Sequence, residues 1–252
     1  MSSSKYETVL ITGTTSGIGR ALLAHYHRHG ARVIAVNRRE CPELWNEFPG
    51  VELETLDITC KNTVHTFLGR LERENRCPRL FVLNAGINRP DNFDGLDFDT
   101  FQEVMKINLL GVLSFAGAIH DLGLVGKTLT AISSTSNIIP NPAHIGYYLS
   151  KSAIQESFKL LRRRDPQNSY KTIVLGPVRT SIMAGYPQPE GLQRRIFDAL
   201  AVTAEETASA AAEFFEGPRE SLLYPKKAWI FYEAVSAVLA LFPNLYSGTQ
   251  RA

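Results

Sequence analysis

Eight residues near the amino end, Thr12-Gly13-Thr14-Thr15-Ser16-Gly17-Ile18-Gly19, constrain this chain more than any other stretch. They follow a short, apolar, β-rich run from Thr8 to Ile11. They lead into Ile18 to His29, where Ile18, Leu22, Leu23 and Tyr26 recur at helical spacing. A strand that passes through glycines into a helix brings two properties to one point. The backbone there can take positive φ and be approached closely, and the first turn of the helix offers unpaired N–H groups at its positive end. Both suit a pyrophosphate, and glycines that serve only a tight turn are the plainer alternative.

The same alternation continues along the chain. Gly30 stops the helix, and Arg32 to Val36 reads as a strand suited to burial on both faces through Val33, Ile34 and Val36. Further strands are expected at Val51 to Leu56, Arg79 to Asn84, Lys127 to Ser133 and Thr172 to Leu175. Helices are expected near Lys61 to Asn75, Asp99 to Leu122 and Tyr147 to Arg164. Alternating strands and helices imply an α/β fold, a parallel sheet covered by helices on both faces. A chain of 252 residues, 44% apolar and without a linker, repeat or low-complexity tract, is read as one domain over residues 1–252. Residues 180–193 form a substrate loop marked by Gly185, Pro187, Pro189 and Gly191. Helices then follow at about 190–200, 203–216 and 226–243.

Charge and cysteine usage narrow the function. With 27 Lys+Arg against 25 Asp+Glu the net charge is only +2, which provides no broad field for nucleic acid. Cys41, Cys60 and Cys77 lack metal-ligand spacing, so no metal is expected, and the polar amino end from Met1 to Glu7 is not a signal peptide. A reducing, cytoplasmic setting is the expectation. The longest nearly apolar run, Ala228 to Phe242, is interrupted by Glu233 and is too short to span a bilayer. As an apolar helix preceded by Lys226 and Lys227 it is expected to be buried against the substrate pocket or a partner subunit. Peripheral docking on a membrane surface is the alternative.

The second strand ends at Val36-Asn37-Arg38-Arg39, about twenty residues beyond the glycine turn, where a dinucleotide fold reads the adenosine ribose. A carboxylate there selects NAD(H). Here Asn37 is followed by two guanidinium groups, which match a 2′-phosphate in charge and geometry, so NADP(H) is expected over NAD(H) with Arg38 as the leading contact. The alternative for Arg38 and Arg39 is an ordinary solvated pair. Farther on, Tyr147 and Lys151 stand four apart and share a helix face, where an ammonium can lower a phenol's pKa and make it an acid or base near neutral pH.

Taken together these motifs resemble the short-chain dehydrogenase/reductase family. Thr12 to Gly19 matches its TGxxxGxG turn, Asn84-Ala85-Gly86 its NAG segment, and Tyr147 to Lys151 its YxxxK. Ser134, thirteen residues before Tyr147, stands where the family has its catalytic serine, with Ser133, Thr135 and Ser136 as neighbours. Asn108 stands where the family has its helix asparagine, and Asp57, followed by Ile58, where it contacts the adenine. The motifs fall in order over roughly Thr8 to Glu216. Two departures stand out. Leu175-Gly176-Pro177-Val178-Arg179-Thr180 resembles the family's PGxxxT stretch with its proline displaced, and the carboxyl end, from Ser221 to Pro225, lacks the glycine-rich final strand of many members.

The resemblance implies a Rossmann-type doubly wound sheet and hydride transfer between a nicotinamide and a carbonyl or secondary alcohol. By implication Gly13, Thr15, Ser16, Gly17, Ile18 and Gly19 hold the pyrophosphate. Asn37, Arg38, Arg39, Asp57, Ile58, Asn84, Ala85, Gly86, Gly176, Pro177, Val178 and Thr180 would contact the rest of the cofactor, with Asp57 at the adenine and Thr180 at the nicotinamide carboxamide. Tyr147 would be the general acid and base, with Ser134 on the reacting oxygen. Lys151 would bind the ribose, and Asn108, through its backbone and a water, would resupply protons. Pocket walls are expected from Ile87, Asn88, Ser136, Asn137, Ile138, His144, Met183 and Tyr186, a mixed set that names no single substrate. A homodimer or homotetramer is implied. The competing readings are a catalytically idle dinucleotide-binding regulator, and an epimerase or dehydratase using the same cofactor site.

Overall fold

The computed structural model describes residues 4–91, 97–135, 143–182 and 191–231. Among them, β1 (Thr8–Thr12), β2 (Arg32–Asn37), β3 (Glu52–Thr55), β4 (Leu80–Leu83), β5 (Thr128–Ser134), β6 (Ser169–Leu175) and β7 (Ser221–Tyr224) pair in parallel. Their order is β3-β2-β1-β4-β5-β6-β7. The chain starts in the middle, winds outward to β3, and returns to lay β4 beside β1. That reversal opens a crevice at the carboxyl ends of β1 and β4, the place where doubly wound sheets bind ligands.

The helices are α1 (Gly17–Arg28), α2 (Glu43–Glu47), α3 (Lys61–Arg73), α4 (Phe98–Met105), α5 (Gly111–Asp121), α6 (Ile145–Arg164), α7 (Gly191–Leu200) and α8 (Ala204–Glu216). Because side chains alternate along a strand, the sheet divides its apolar residues between two half-cores. Val9, Ile11, Val33, Ala35 and Val82 pack on α1, α2 and α8 through Leu22, Tyr26, Leu44 and Phe215. Leu10, Ile34, Phe81 and Leu129 pack on α3, α5 and α6 through Phe67, Leu68, Phe115 and Phe158. Strands buried on both faces are why β1, β2 and β4 read as continuous apolar runs.

Four differences from the sequence expectations have physical reasons. The strand expected from Thr172 begins at Ser169, because Lys171 disguises its start. That lysine is only 5% exposed, and its ammonium donates to the Phe215 carbonyl at 2.9 Å and to the Gly217 carbonyl at the end of α8. At the carboxyl end Ser221–Tyr224 forms the strand β7 beside β6 without the glycines that would signal it. The short α2 went unforeseen, since five residues carry no full helical period. The helix expected from Asp99 to Leu122 is continuous from Phe98 to Asp121 but widens into a π-helical turn at Lys106–Leu110. Of the apolar helix expected over 226–243 only 226–231 falls within the described residues, where it is helical, and most of the 180–193 loop lies outside them. Among the described residues no helix is long and apolar enough to cross a membrane.

Candidate active site

The glycine turn is built by three strand ends. Gly13 and Gly17 hold φ of +71° and +56°, which a side chain would oppose. A Cβ on Gly13 would stand 2.9 Å from Ala85 Cα, and one on Gly19 would run into the Gly13 carbonyl oxygen. Thr12 Oγ1 accepts the N–H groups of Asn84 (3.0 Å) and Ala85 (2.9 Å), while Asn84 Nδ2 donates to the carbonyls of Thr12 and Gly13 at 3.0 Å each. From β2, Asn37 Oδ1 accepts Thr14 N–H at 2.8 Å and Nδ2 donates to Thr14 Oγ1 at 2.8 Å. At the start of α1, Ser16 is extended and no side chain caps the helix; its first turn carries no acidic residue. Its first amides therefore have no side-chain cap and no acidic residue in their own turn, as an anion site requires.

The turn forms one wall of a cleft of about 880 Å³. Gly13, Thr15, Ser16, Gly17 and Ile18 line it at one side, Asn37, Arg38, Arg39, Asp57 and Ile58 at the adenosine end, and Asn84, Ala85, Gly86, Ile87 and Asn88 across the middle. Asn37, which lines the cleft, is 7% exposed and its amide is engaged with Thr14, so it also braces the turn. Arg38 and Arg39 are exposed and form no ion pair among the described residues. The Asp57 carboxylate accepts the Thr59 N–H (2.9 Å) and hydroxyl (2.7 Å). These bonds, aided by Lys106 and Arg38, hold it below the usual carboxylate range. Ile58 packs against the bare Cα of Gly111, where a Cβ would come within 2.8 Å. Glu40, Glu43, Arg89, Glu103, Lys106 and Ile107 also line the cleft, and no motif announced them.

Thr180 lines the cleft and leans over Gly17, whose Cβ would meet it at 3.4 Å. Gly176, Pro177 and Val178, expected beside it, do not line the cleft. Gly176 N–H donates to Tyr224 O at 2.8 Å, Pro177 O accepts Val202 N–H at 3.1 Å, and Val178 bridges to Val202. These three fasten the exit of β6, and among the described residues of this segment Thr180, Ser181 and Ile182 reach the opening.

At the inner end of the cleft, Gly86 joins it to a second group of side chains. A Cβ there would lie 3.1 Å from Asn108 Oδ1 and 3.5 Å from Lys151 Nζ. Lys151 is 5% exposed, and its ammonium donates to Ile132 O at 2.8 Å and lies 5.6 Å from the centre of the Tyr147 ring. Burial pushes its pKa down to about 8. Asn108, fully buried in the π-helical turn, grips the backbone of Ile87 from both sides. Its Oδ1 accepts Ile87 N–H at 2.8 Å, and its Nδ2 donates to Ile87 O at 2.9 Å and to Ser150 Oγ at 3.1 Å. Ser150 in turn donates to the Tyr147 carbonyl at 2.8 Å. The asparagine side chain thus ties the segment after Gly86 to α6, a role distinct from the expected backbone relay.

Ser134 is the last residue of β5 and pairs with Leu175. Its neighbour Ser133 is engaged elsewhere, donating to Lys151 O and accepting from Gln155 Nε2, both at 2.8 Å. Since strand side chains alternate, Ser134 turns to the opposite face of the strand from Ser133. His144 is 3% exposed, with Nδ1 2.9 Å from Asn88 Oδ1; burial lowers its pKa, which suits a neutral wall residue. Asp91, unmarked by any motif, accepts the first N–H groups of α6. The expected pocket residues Ser136, Asn137, Ile138, Met183 and Tyr186 lie outside the described residues. Among the described residues no group of three His, Cys, Asp or Glu side chains could hold a metal.

Comparison with known proteins agrees with this geometry. The family model of short chain dehydrogenases matches residues 7–190. The chain is 24% identical over 222 residues to Dehydrogenase/reductase SDR family member 7B of Mus musculus, covering 82% of this chain and 69% of that protein. Its fold is similar to that of an alcohol dehydrogenase from Thermococcus sibiricus complexed with 5-hydroxy-NADP. The TM-score is 0.71 at 23% identity, over 86% of this chain and 95% of that one. It is similar also to a short chain dehydrogenase/reductase from Burkholderia phymatum in complex with NAD. There the TM-score is 0.75 at 17% identity, over 92% of each chain.

Proposed function

Because this chain belongs to the short-chain dehydrogenase family, and is thereby an oxidoreductase that depends on a nicotinamide dinucleotide, we propose that it transfers a hydride between NADP(H) and a carbonyl or secondary alcohol, with Tyr147 as general acid and base. The observation that carries this reading is the junction at Gly86, where the cleft meets the buried ammonium of Lys151 beneath the Tyr147 ring. The uncapped first turn of α1 and the bare Gly13, Gly17 and Gly19 fit a pyrophosphate, and Gly86 leaves room for a group lying against Lys151. When bound, the dinucleotide supplies or accepts the hydride.

In the reductive direction Tyr147 Oη gives its proton to the oxygen of the substrate while Ser134 donates a hydrogen bond to the same atom, where negative charge develops. Lys151, cationic below pH of about 8, stabilises the phenolate that remains, and it would hold the ribose hydroxyls of the nicotinamide half. Asn108 fixes Ile87 against Ser150 and so keeps the floor of the cleft in register with α6. Neighbours of the same fold are complexed with 5-hydroxy-NADP or with NAD, so the choice of NADP(H) rests on Arg38 and Arg39 at the adenosine end. Exposed apolar side chains on the π-helical turn and α6, Leu110 at 54% and Leu160 at 65%, support a homo-oligomer. The three free cysteines suit a reducing, cytoplasmic setting, and one sheet shared by both half-cores supports a single domain.

The test is a panel of aldehydes, ketones and secondary alcohols followed by the absorbance of the reduced nicotinamide, with NADPH and NADH in parallel. Oxidation of NADPH by a carbonyl compound, faster than that of NADH, is expected. A protein that binds NADPH yet turns over nothing in either direction is an idle binder, and this reading is then wrong.

A further inference from the structure

Asp91 is a carboxylate with 0% exposure, and a buried anion is costly unless it is fully compensated. Its compensation is specific. Oδ1 accepts Ile145 N–H at 2.6 Å and Oδ2 accepts Gly146 N–H at 2.5 Å, the first two amides of α6, at the positive end of a twenty-residue helix. The helix has no cap from its own sequence, since the side chain of His144 does not serve. Space for the carboxylate depends on Gly146. A Cβ there would stand 2.8 Å from Asp91 Oδ2 and 3.2 Å from Phe101 Cδ2, so only a residue without a side chain lets α6 start this close to α4.

Two further bonds make the contact a clamp. Asp91 N–H donates to Ala143 O at 2.9 Å, and His144 Nδ1 lies 2.9 Å from Asn88 Oδ1. Residues 88–91 directly follow the Gly86 and Ile87 that line the cleft, and they are fastened here to the residues directly before Tyr147. Two acceptors on two successive amides fix both the position and the rotation of the first helical turn, which a single cap does not.

We propose that Asp91 is a positioning residue: its bidentate hold on Ile145 and Gly146 sets the first turn of α6 so that the Tyr147 hydroxyl meets the substrate oxygen. This rests on the reading of Tyr147 as proton donor. Asp91 touches neither substrate nor cofactor and acts only through α6. A displacement of about 1 Å at a reacting group can cost roughly 100-fold in rate, so loss of the clamp shows in kcat before it shows in binding.

The experiment compares wild type, Asp91→Asn, Gly146→Ala and Tyr147→Phe. Asn keeps the shape of Asp but turns an amide NH₂ donor toward one helix N–H, while Gly146→Ala displaces the intact carboxylate from the other side. Each protein is assayed with saturating NADPH and 4-nitrobenzaldehyde in H₂O and D₂O, with NADPH affinity by fluorescence and amide exchange of residues 143–150 by mass spectrometry. For Asp91→Asn and Gly146→Ala we expect kcat lowered roughly 10- to 100-fold, NADPH affinity within about twofold of wild type, a larger solvent isotope effect on kcat and faster exchange at 145–146. The proposal is overturned if exchange at 145–146 is unchanged. It is also overturned if exchange quickens while kcat and its isotope effect stay at the wild-type values, or if NADPH affinity and melting temperature collapse together with kcat. Retained turnover in Tyr147→Phe would instead sink the assignment of the proton donor itself.

Discussion

The Lys151 ammonium lies 5.6 Å from the centre of the Tyr147 ring, on the same side of α6, while donating at 2.8 Å to the carbonyl of Ile132 in β5. A cation so enclosed costs the fold something, since burial lowers the Lys151 pKa to about 8 from the ordinary lysine value. The folded state then binds fewer protons than the unfolded chain between that value and about 10.4, so stability rises with pH across this window. Below it both states are charged and the whole penalty, roughly 3 kcal/mol, is present. Thermal melts of the cofactor-free protein from pH 7 to pH 10 (about the span of the window) should show this gain. Lys151→Met should remove most of the slope while raising stability near pH 7 (about neutrality).

On the proposed function, cofactor choice turns on Arg38. Its guanidinium is exposed at the adenosine end of the cleft and has no ion-pair partner among the described residues, which leaves it available to a 2′-phosphate. Arg38→Ala is expected to weaken NADPH roughly 10-fold or more and to leave NADH nearly unchanged. Asn37→Asp should shift the preference less, since residue 37 is turned onto Thr14. Titration of both cofactors against the three proteins checks this.

Two glycine substitutions separate backbone strain from the cofactor cradle. Gly30→Ala puts a side chain at φ +76° with nothing within 4 Å, so it should cost about 1–2 kcal/mol of stability and leave NADPH affinity intact. Gly19→Ala drives a Cβ into the Gly13 carbonyl, so it should abolish detectable NADPH binding as well as lower the melting temperature. Calorimetry and titration of the two variants provide the comparison.

Much of this was legible because β1, β2, β4 and β5 are buried on both faces, which leaves an unbroken apolar signal, and because the glycine turn and Tyr147–Lys151 are constrained over short spacings. What stayed hidden depends on long-range partners. Lys171 masks the start of β6 because its compensation comes from α8, far along the chain. Asn37 ends β2 beside the cleft, and only its contact with Thr14 shows that it also braces the glycine turn. Asp91 sits among polar residues in a loop, and its burial exists only once α6 is packed on α4. Leu175 to Thr180 preserves a motif in letters, yet Gly176 faces Ala228 of the carboxyl end rather than the cleft.

The most direct measurement is the single-turnover rate of Tyr147→Phe beside wild type, with NADPH bound beforehand and a carbonyl substrate known to be reduced by the wild-type protein. Removing the hydroxyl deletes the proton donor and little else, so NADPH affinity should stay within about twofold and the rate should fall by roughly 100- to 10,000-fold. A variant that binds NADPH equally well and keeps most of the wild-type rate would show that the proton comes from elsewhere, and the chemistry assigned to α6 would be wrong.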